Sequence, residues 1–146
     1  MKIIVAGSRT FSDYNCLKNY FMSFINTVPM EGDISLISGG CSDVRFGFHT
    51  HTRKDGTKIY GADGLAERLA EDLNYTIKTF DANWELYGKA AGPIRNTAMA
   101  KEATHCICFW NGLGTGTADM IKKAKSYKLK LMVVLIKKTS EIIVYP

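Results

Sequence analysis

The chain repeatedly runs through a short apolar stretch, halts near glycine and then changes to helical spacing, and this rhythm restricts its fold more than any other feature. Lys2 to Ala6 is an apolar run closed by Gly7, the pattern of a strand buried on both faces. Asp13 then stands as N-cap before Leu17, Phe21, Phe24, Ile25 and Val28, whose three-to-four spacing marks an amphipathic helix. Ile34 to Ser38 is a second strand, stopped by Gly39-Gly40. Ala62 to Leu73 carries Leu65, Leu69 and Leu73 on one helical face, with Asp63 as a candidate cap, and Tyr75 to Phe80 is a third strand. Gly92-Pro93 opens a helix with proline at its favoured first position, and His105 to Trp110 is a fourth strand. Gly114-Thr115-Gly116-Thr117 opens a helix through Tyr127, Leu129 to Ile136 is a fifth strand, and Glu141 to Tyr145 is a candidate antiparallel edge strand. Strands separated by helices pair in parallel, so the expected class is α/β, a three-layer sandwich around a mainly parallel five-stranded sheet. Only the stretch from about 41 to 60 breaks the rhythm. Val44, Phe46 and Phe48 alternate there, and Lys54-Asp55-Gly56-Thr57 is a hairpin-turn signal, which predicts an inserted β-hairpin overhanging the strand ends.

Size and composition fit one domain spanning residues 1–146, with 46% apolar residues to build its core. The longest apolar run, Leu131 to Ile136, is far short of a membrane span, and the N-terminus turns polar at Ser8-Arg9 without a signal-peptide core. Membrane, secreted, fibrous and disordered classes are thereby excluded, and a soluble cytoplasmic domain is expected. The net charge of +5 is uneven: residues 121–146 hold seven lysines and one acidic residue, Glu141. A lysine-rich end suits a polyanion, and it equally suits a solvated helix face and blunted edge strands. Cys16, Cys41, Cys106 and Cys108 form no C-x-x-C pair; Cys106 and Cys108 share one strand face as small buried thiols, while Cys41, after a glycine pair, is more open. His49 and His51 are two apart on one proposed hairpin face but lack further ligands, so no metal is expected, nor any cofactor.

Glycine-rich breaks follow three strands: Gly7-Ser8-Arg9, Ser38-Gly39-Gly40, and the loop to Gly114-Thr115-Gly116-Thr117. In a parallel sheet these all fall at the carboxyl edge, where open α/β sheets bind ligands. Glycine lets backbone N–H groups approach a phosphate, the helix after Gly116 supplies free donors and a positive dipole end, and arginines such as Arg9 and Arg95 grip phosphate with two parallel bonds. Together they predict one electropositive cradle built largely of main-chain amides. Neither the G-x-G-x-x-G nor the G-x-x-x-x-G-K-[ST] motif is present, which argues against an ordinary dehydrogenase or ATPase. Trp84, Tyr87 and Trp110 are candidates to stack on a base, and equally for core or rim packing, with 84–92 forming one wall.

Five motifs in order carry a family resemblance: Ile3 to Arg9, Ile37 to Gly40, Gly61 to Glu67, Gly92 to Asn96 with Met99, and Gly116-Thr117 with Met120. In these the chain resembles the SLOG superfamily from about residue 2 to about residue 136, and within it the YspA, cpYpsA-related family, a former domain of unknown function common in bacteria and phages. The resemblance implies a Rossmann-like fold and a pocket for a nucleotide or nucleotide-derived ligand. More distant members are the LOG phosphoribohydrolases, which cleave N-glycosidic bonds, and DprA, which handles DNA. Arg95 with Met99 resembles the arginine motif of LOG enzymes, and Gly114 to Met120 resembles their glycine loop. The position of the LOG catalytic glutamate falls on Met120, whose thioether neither accepts a proton nor stabilises a developing cation.

The expected ligand-binding set is therefore Gly7, Ser8, Arg9, Ser38, Gly39, Gly40, Asp63, Arg95, Asn96, Gly114, Thr115, Gly116 and Thr117. Arg9 and Arg95 are the charge anchors; Asn96 and Asp63 are polar readers of sugar or base. The primary expectation is binding of a nucleotide derivative, as sensor or sequestering protein. The alternatives are an N-glycosidic-bond hydrolase, with Glu67, Asp63 and Asp119 as candidate carboxylates, and a DprA-like nucleic-acid module. Asp119 lies about 100° round the helix from Met120 and is expected to face elsewhere. By analogy with LOG enzymes the chain is expected to be a homo-oligomer with no membrane partner.

Overall fold

The computed structural model describes residues 1–27, 32–42, 47–136 and 141–145, the last segment by its backbone. The elements run β1 (Lys2–Gly7), α1 (Tyr14–Thr27), β2 (Ser35–Ser38), β3 (His49–Thr52), β4 (Lys58–Tyr60), α2 (Gly61–Leu73), β5 (Ile77–Thr79), α3 (Trp84–Tyr87), α4 (Ala91–Glu102), β6 (His105–Trp110), α5 (Thr115–Ser126), β7 (Lys130–Leu135) and β8 (Glu141–Tyr145). A single 3₁₀ turn, Gly88–Ala90, joins α3 to α4.

The main sheet is ordered β5-β2-β1-β6-β7-β8. Its first five strands are parallel and β8 is the antiparallel edge, pairing Leu135 with Glu141 and Leu131 with Tyr145. The expected five-stranded parallel sheet with an antiparallel edge is what forms. Because side chains alternate across a strand, the sheet builds two cores. Ile3, Val5, Ile107 and Phe109 pack with Leu17, Phe21 and Phe24 of α1 and Leu65 and Leu69 of α2. Ile4, Ala6, Cys106 and Cys108 pack on the other face with Met99 of α4 and Met120 and Ala124 of α5. The chain covers one face with its first half, then starts β6 on the far side of β1 and covers the other. The strand order therefore reverses between β1 and β6, and a crevice opens at the carboxyl ends there.

Several local expectations are refined. Asp13 caps α1 by accepting the Cys16 N–H at 3.0 Å. Val28, the last helical apolar position expected, lies outside the described residues. Pro93 occupies the third position of α4, after Ala91 and Gly92, still inside the first turn where a missing N–H costs no helical bond. The inserted hairpin is real but shorter: its strands begin at His49, and Val44 and Phe46 lie outside the described residues. The turn forms at Lys54-Asp55-Gly56 as expected, with Asp55 accepting the Thr57 N–H at 2.9 Å. A register shift between His49 and His51 turns the two rings into different surroundings, one exposed and one buried, which overturns the shared face. The hairpin packs along α2: Thr50 Oγ1 donates to the Gly61 carbonyl at 2.8 Å, and Arg53 makes two hydrogen bonds to Glu67 at 2.8 and 3.0 Å. Among the described residues of its own segment, Cys41, Ser42 and Tyr60 line the cavity at the strand ends. Among the described residues no group of His, Cys, Asp and Glu side chains could hold a metal, and no helix is long and apolar enough to cross a membrane.

Candidate functional site

A cavity of about 760 Å³ occupies the crevice, inside the usual range for a small-molecule pocket. Gly7, Ser8 and Arg9 enter it from the end of β1, Gly39 and Gly40 from β2, and Gly114, Thr115, Gly116 and Thr117 from the loop after β6 and the start of α5. Asp63 of α2 and Arg95 and Asn96 of α4 complete the expected set. Ser38 alone stays behind the wall, fully buried, with its hydroxyl against Asp63 and 3.5 Å from the Gly40 N–H.

Close approach explains why glycine recurs here. At Gly61 a φ of +59° is needed, and a Cβ would meet the Arg9 Cα and Ser8 carbonyl oxygen at 2.5 Å. A Cβ at Gly39 would lie 2.5 Å from Arg95 Nη1 and 3.1 Å from Asp63 Oδ2, so the loop, the guanidinium and the carboxylate are in direct contact. Arg95 donates from Nη1 to the Gly39 carbonyl at 3.1 Å and from Nε to Asn96 Oδ1 at 3.1 Å. Asn96 in turn donates from Nδ2 to the Gly116 carbonyl at 3.2 Å and to Asp119 at 3.0 Å. It is almost wholly buried, and both of its amide N–H groups join α4 to the start of α5. Asn96 thus sets the position of Arg95 and of the α5 terminus from the cavity wall.

Asp63 does not cap its own helix. The residue before α2 is Tyr60, and that terminus has no side-chain cap. The Asp63 carboxylate accepts the Cys41 N–H at 3.0 Å, holding the loop after β2. Burial pushes its pKa above the ordinary carboxylate value; Arg95, the Cys41 N–H and the Ser38 hydroxyl pull the other way, and Glu67 adds to the rise.

The loop after β6 is pinned by side chains. Asn111 Oδ1 accepts the N–H groups of Leu113 and Gly114, each at 2.9 Å, and its own N–H reaches Ser8 Oγ at 3.3 Å. Trp110 Nε1 donates to the Gly114 carbonyl at 2.9 Å. Trp110 is therefore a loop brace packed on the α4 and α5 core, and it does not line the cavity. The α5 terminus that results has no side-chain cap, and Gly116 has open space where a Cβ would stand. Trp84 does line the cavity; Tyr87, exposed on the same short helix, does not.

The charges correct the picture of a uniformly positive cradle. Arg9 and Arg95 are matched by two carboxylates, Asp63 and Asp81. Asp81 was not anticipated: it follows β5, whose end carries no glycine, so a search for glycine breaks passes over it. The rule that ligands collect at carboxyl ends of parallel strands, applied to β5, would have found it. Of the candidate carboxylates for bond cleavage, Glu67 is buried against Arg53, and Asp119 is tied to Asn96 and to Lys123 at 3.2 Å; neither lines the cavity. Met120, at the LOG glutamate position, is buried in the core beneath the cavity.

No protein-family model matches the chain, and no solved structure matches it. The chain is similar to the Gene 61 protein of Mycobacterium phage D29, with 37% identity over 130 residues, covering 85% of this chain and 88% of that protein.

Proposed function

We propose that this chain, which belongs to the family of the Gene 61 protein of Mycobacterium phage D29, binds a nucleotide or nucleotide-derived ligand in the strand-end cavity, as a sensor or sequestering protein. The observation that carries the reading is the meeting of three glycine-bearing loops, two arginines and the uncapped α5 terminus around one pocket of about 760 Å³. The phosphate sits against the Gly114 to Thr117 amides, where the open side of Gly116 leaves room and the helix dipole favours negative charge. Arg9 and Arg95 supply the balancing charge. Placement in the SLOG superfamily is part of the proposal, supported by the five motifs, which supply cavity-lining residues from β1, β2, α2, α4 and α5.

Mass spectrometry of small molecules carried through purification under native conditions tests the reading directly. A nucleotide or its derivative is expected, and Arg95→Ala lowers its calorimetric affinity at least about tenfold, the usual worth of a charge-assisted contact. An unchanged affinity in that variant counts against the site. Hydrolysis of an N-glycosidic bond is the second reading, and one observation favours it: Asp63 lines the cavity with a carboxyl pKa raised by burial, the direction that suits a general acid. Chromatography of nucleoside monophosphates and NAD after incubation separates the two, since released base marks turnover and intact ligand marks binding.

A further inference from the structure

The two ends of the cavity differ chemically. One end is made of main-chain amides at the α5 terminus. The other is formed by the segment leaving β5, with Asp81 and Trp84 projecting into the same space.

Asp81 is exposed, and among the described residues its carboxylate makes no hydrogen bond or close ion pair. It stands over Gly40, where a Cβ would lie 3.1 Å from Asp81 Oδ1 and 3.1 Å from Arg53 Nη2. Arg53 feels its charge, but the Arg53 guanidinium is held by Glu67 through two hydrogen bonds. The carboxylate thus faces the cavity with both oxygens available. Trp84, three residues on, is fixed at the start of α3 because Asn83 caps that turn, accepting the Leu86 N–H at 3.1 Å. One edge of the indole lies over Gly92, whose Cβ would be 3.5 Å from Cη2, and half of the side chain is exposed at the cavity. An open indole beside a free acceptor pair is what a flat, donor-bearing ring needs.

Resting on the nucleotide reading above, we propose that this end of the cavity holds the base and selects guanine. An ionised carboxylate offers only acceptors, two of them side by side. Guanine presents two adjacent donors, the N1–H and the 2-amino group, so each oxygen receives one charge-assisted bond. Adenine and cytosine place a ring-nitrogen acceptor beside their amino group, and uracil flanks its N–H with two carbonyls; each sets a lone pair against one carboxylate oxygen. Trp84 stacks on the ring and contributes to affinity without choosing the base.

Calorimetric titration of the full chain with GMP, IMP, AMP, CMP, UMP and XMP tests this. IMP keeps the N1–H and lacks the 2-amino group, so it isolates the second bond. GMP is expected to bind about tenfold tighter than IMP, from the usual worth of a hydrogen bond to a charged group. Asp81→Asn erases the GMP-to-IMP ratio and raises the affinity for XMP, because an amide offers one donor and one acceptor to the N1–H and the 2-carbonyl of xanthine. Trp84→Ala weakens all the nucleotides together, by about fivefold or more, and leaves their order intact. Equal affinities across the bases, or a guanine preference that survives Asp81→Asn, overturn the inference while leaving the nucleotide site standing. Failure of every monophosphate to bind overturns both.

Discussion

Gly7 and Gly116 both border the cavity, yet replacing each with alanine is expected to change stability in opposite directions. At Gly7 the added Cβ would stand 2.4 Å from the Phe109 carbonyl oxygen and 2.8 Å from the Ala62 Cβ. Ordinary carbon–oxygen contact begins at about 3.3 Å, so the overlap with that oxygen is about 0.9 Å. Neither obstacle is the end of a flexible chain: one is strand backbone, the other the first carbon of a buried helix residue. The same Phe109 oxygen accepts the Ser8 N–H at 2.9 Å, so moving β6 away stretches the bond that starts the loop after β1. Overpacking costs about 1–3 kcal/mol and the weakened hydrogen bond about 1 kcal/mol more, a total of about 2–4 kcal/mol. In a chain of this length each kcal/mol moves the melting midpoint by about 3 °C, so Gly7→Ala is expected to melt about 6–12 °C lower. At Gly116, the second residue of α5, nothing lies within 4 Å of the added carbon. Alanine there restricts the unfolded chain and favours the helix, for a gain of about 0.5 kcal/mol. It also fills the space assigned to phosphate, so ligand affinity falls although stability rises. Differential scanning calorimetry reads both midpoints. Equal destabilisation by the two substitutions, or a Gly7→Ala midpoint within about 3 °C of the parent, the shift that about 1 kcal/mol would give, would refute the packing argument.

Three further outcomes follow from the site and its supports. Glu67→Gln leaves Arg53 without its buried carboxylate and is expected to cost about 2–4 kcal/mol, seen as faster trypsin cleavage at Lys54 and Lys58 as the hairpin leaves α2. Asn96→Ala removes the link among Arg95, Gly116 and Asp119, at about 1–3 kcal/mol in urea unfolding, and weakens ligand binding through misplacement of Arg95. Asp63 has a folded pKa above that of the unfolded chain, so between those two values the folded state holds a proton that the unfolded state has released. Stability therefore declines as pH rises through that window, and urea midpoints taken at steps upward from about pH 4, the ordinary carboxylate value, should fall for the parent relative to Asp63→Asn. A constant difference across that range contradicts the raised pKa.

The alternation of apolar runs with helical spacing was enough to determine the architecture, because burial on both faces forces continuous apolar strands and helices must cover them. Thr115 to Thr117, Gly39, Arg9 and Arg95 could be placed near one another from sequence because the carboxyl ends of parallel strands share one edge. The Glu141 to Tyr145 edge strand was equally legible, down to its direction. Contacts between residues distant in the chain were not. Nothing in the sequence shows that the Asn96 amide N–H groups are taken up by Gly116 and Asp119. Asp63 looked like a cap until the Cys41 N–H, brought in from the loop after β2, proved to be its partner. Sequence left Trp110 open between stacking and packing, and its N–H on the Gly114 carbonyl and its place against the core decide for packing. A polar group satisfies itself with whatever donor or acceptor the packed fold brings within about 3 Å, and sequence periodicity carries no record of that distance. Sequence thus determined which strand ends form the pocket, whereas tertiary packing decided which of its polar groups remain open to a ligand.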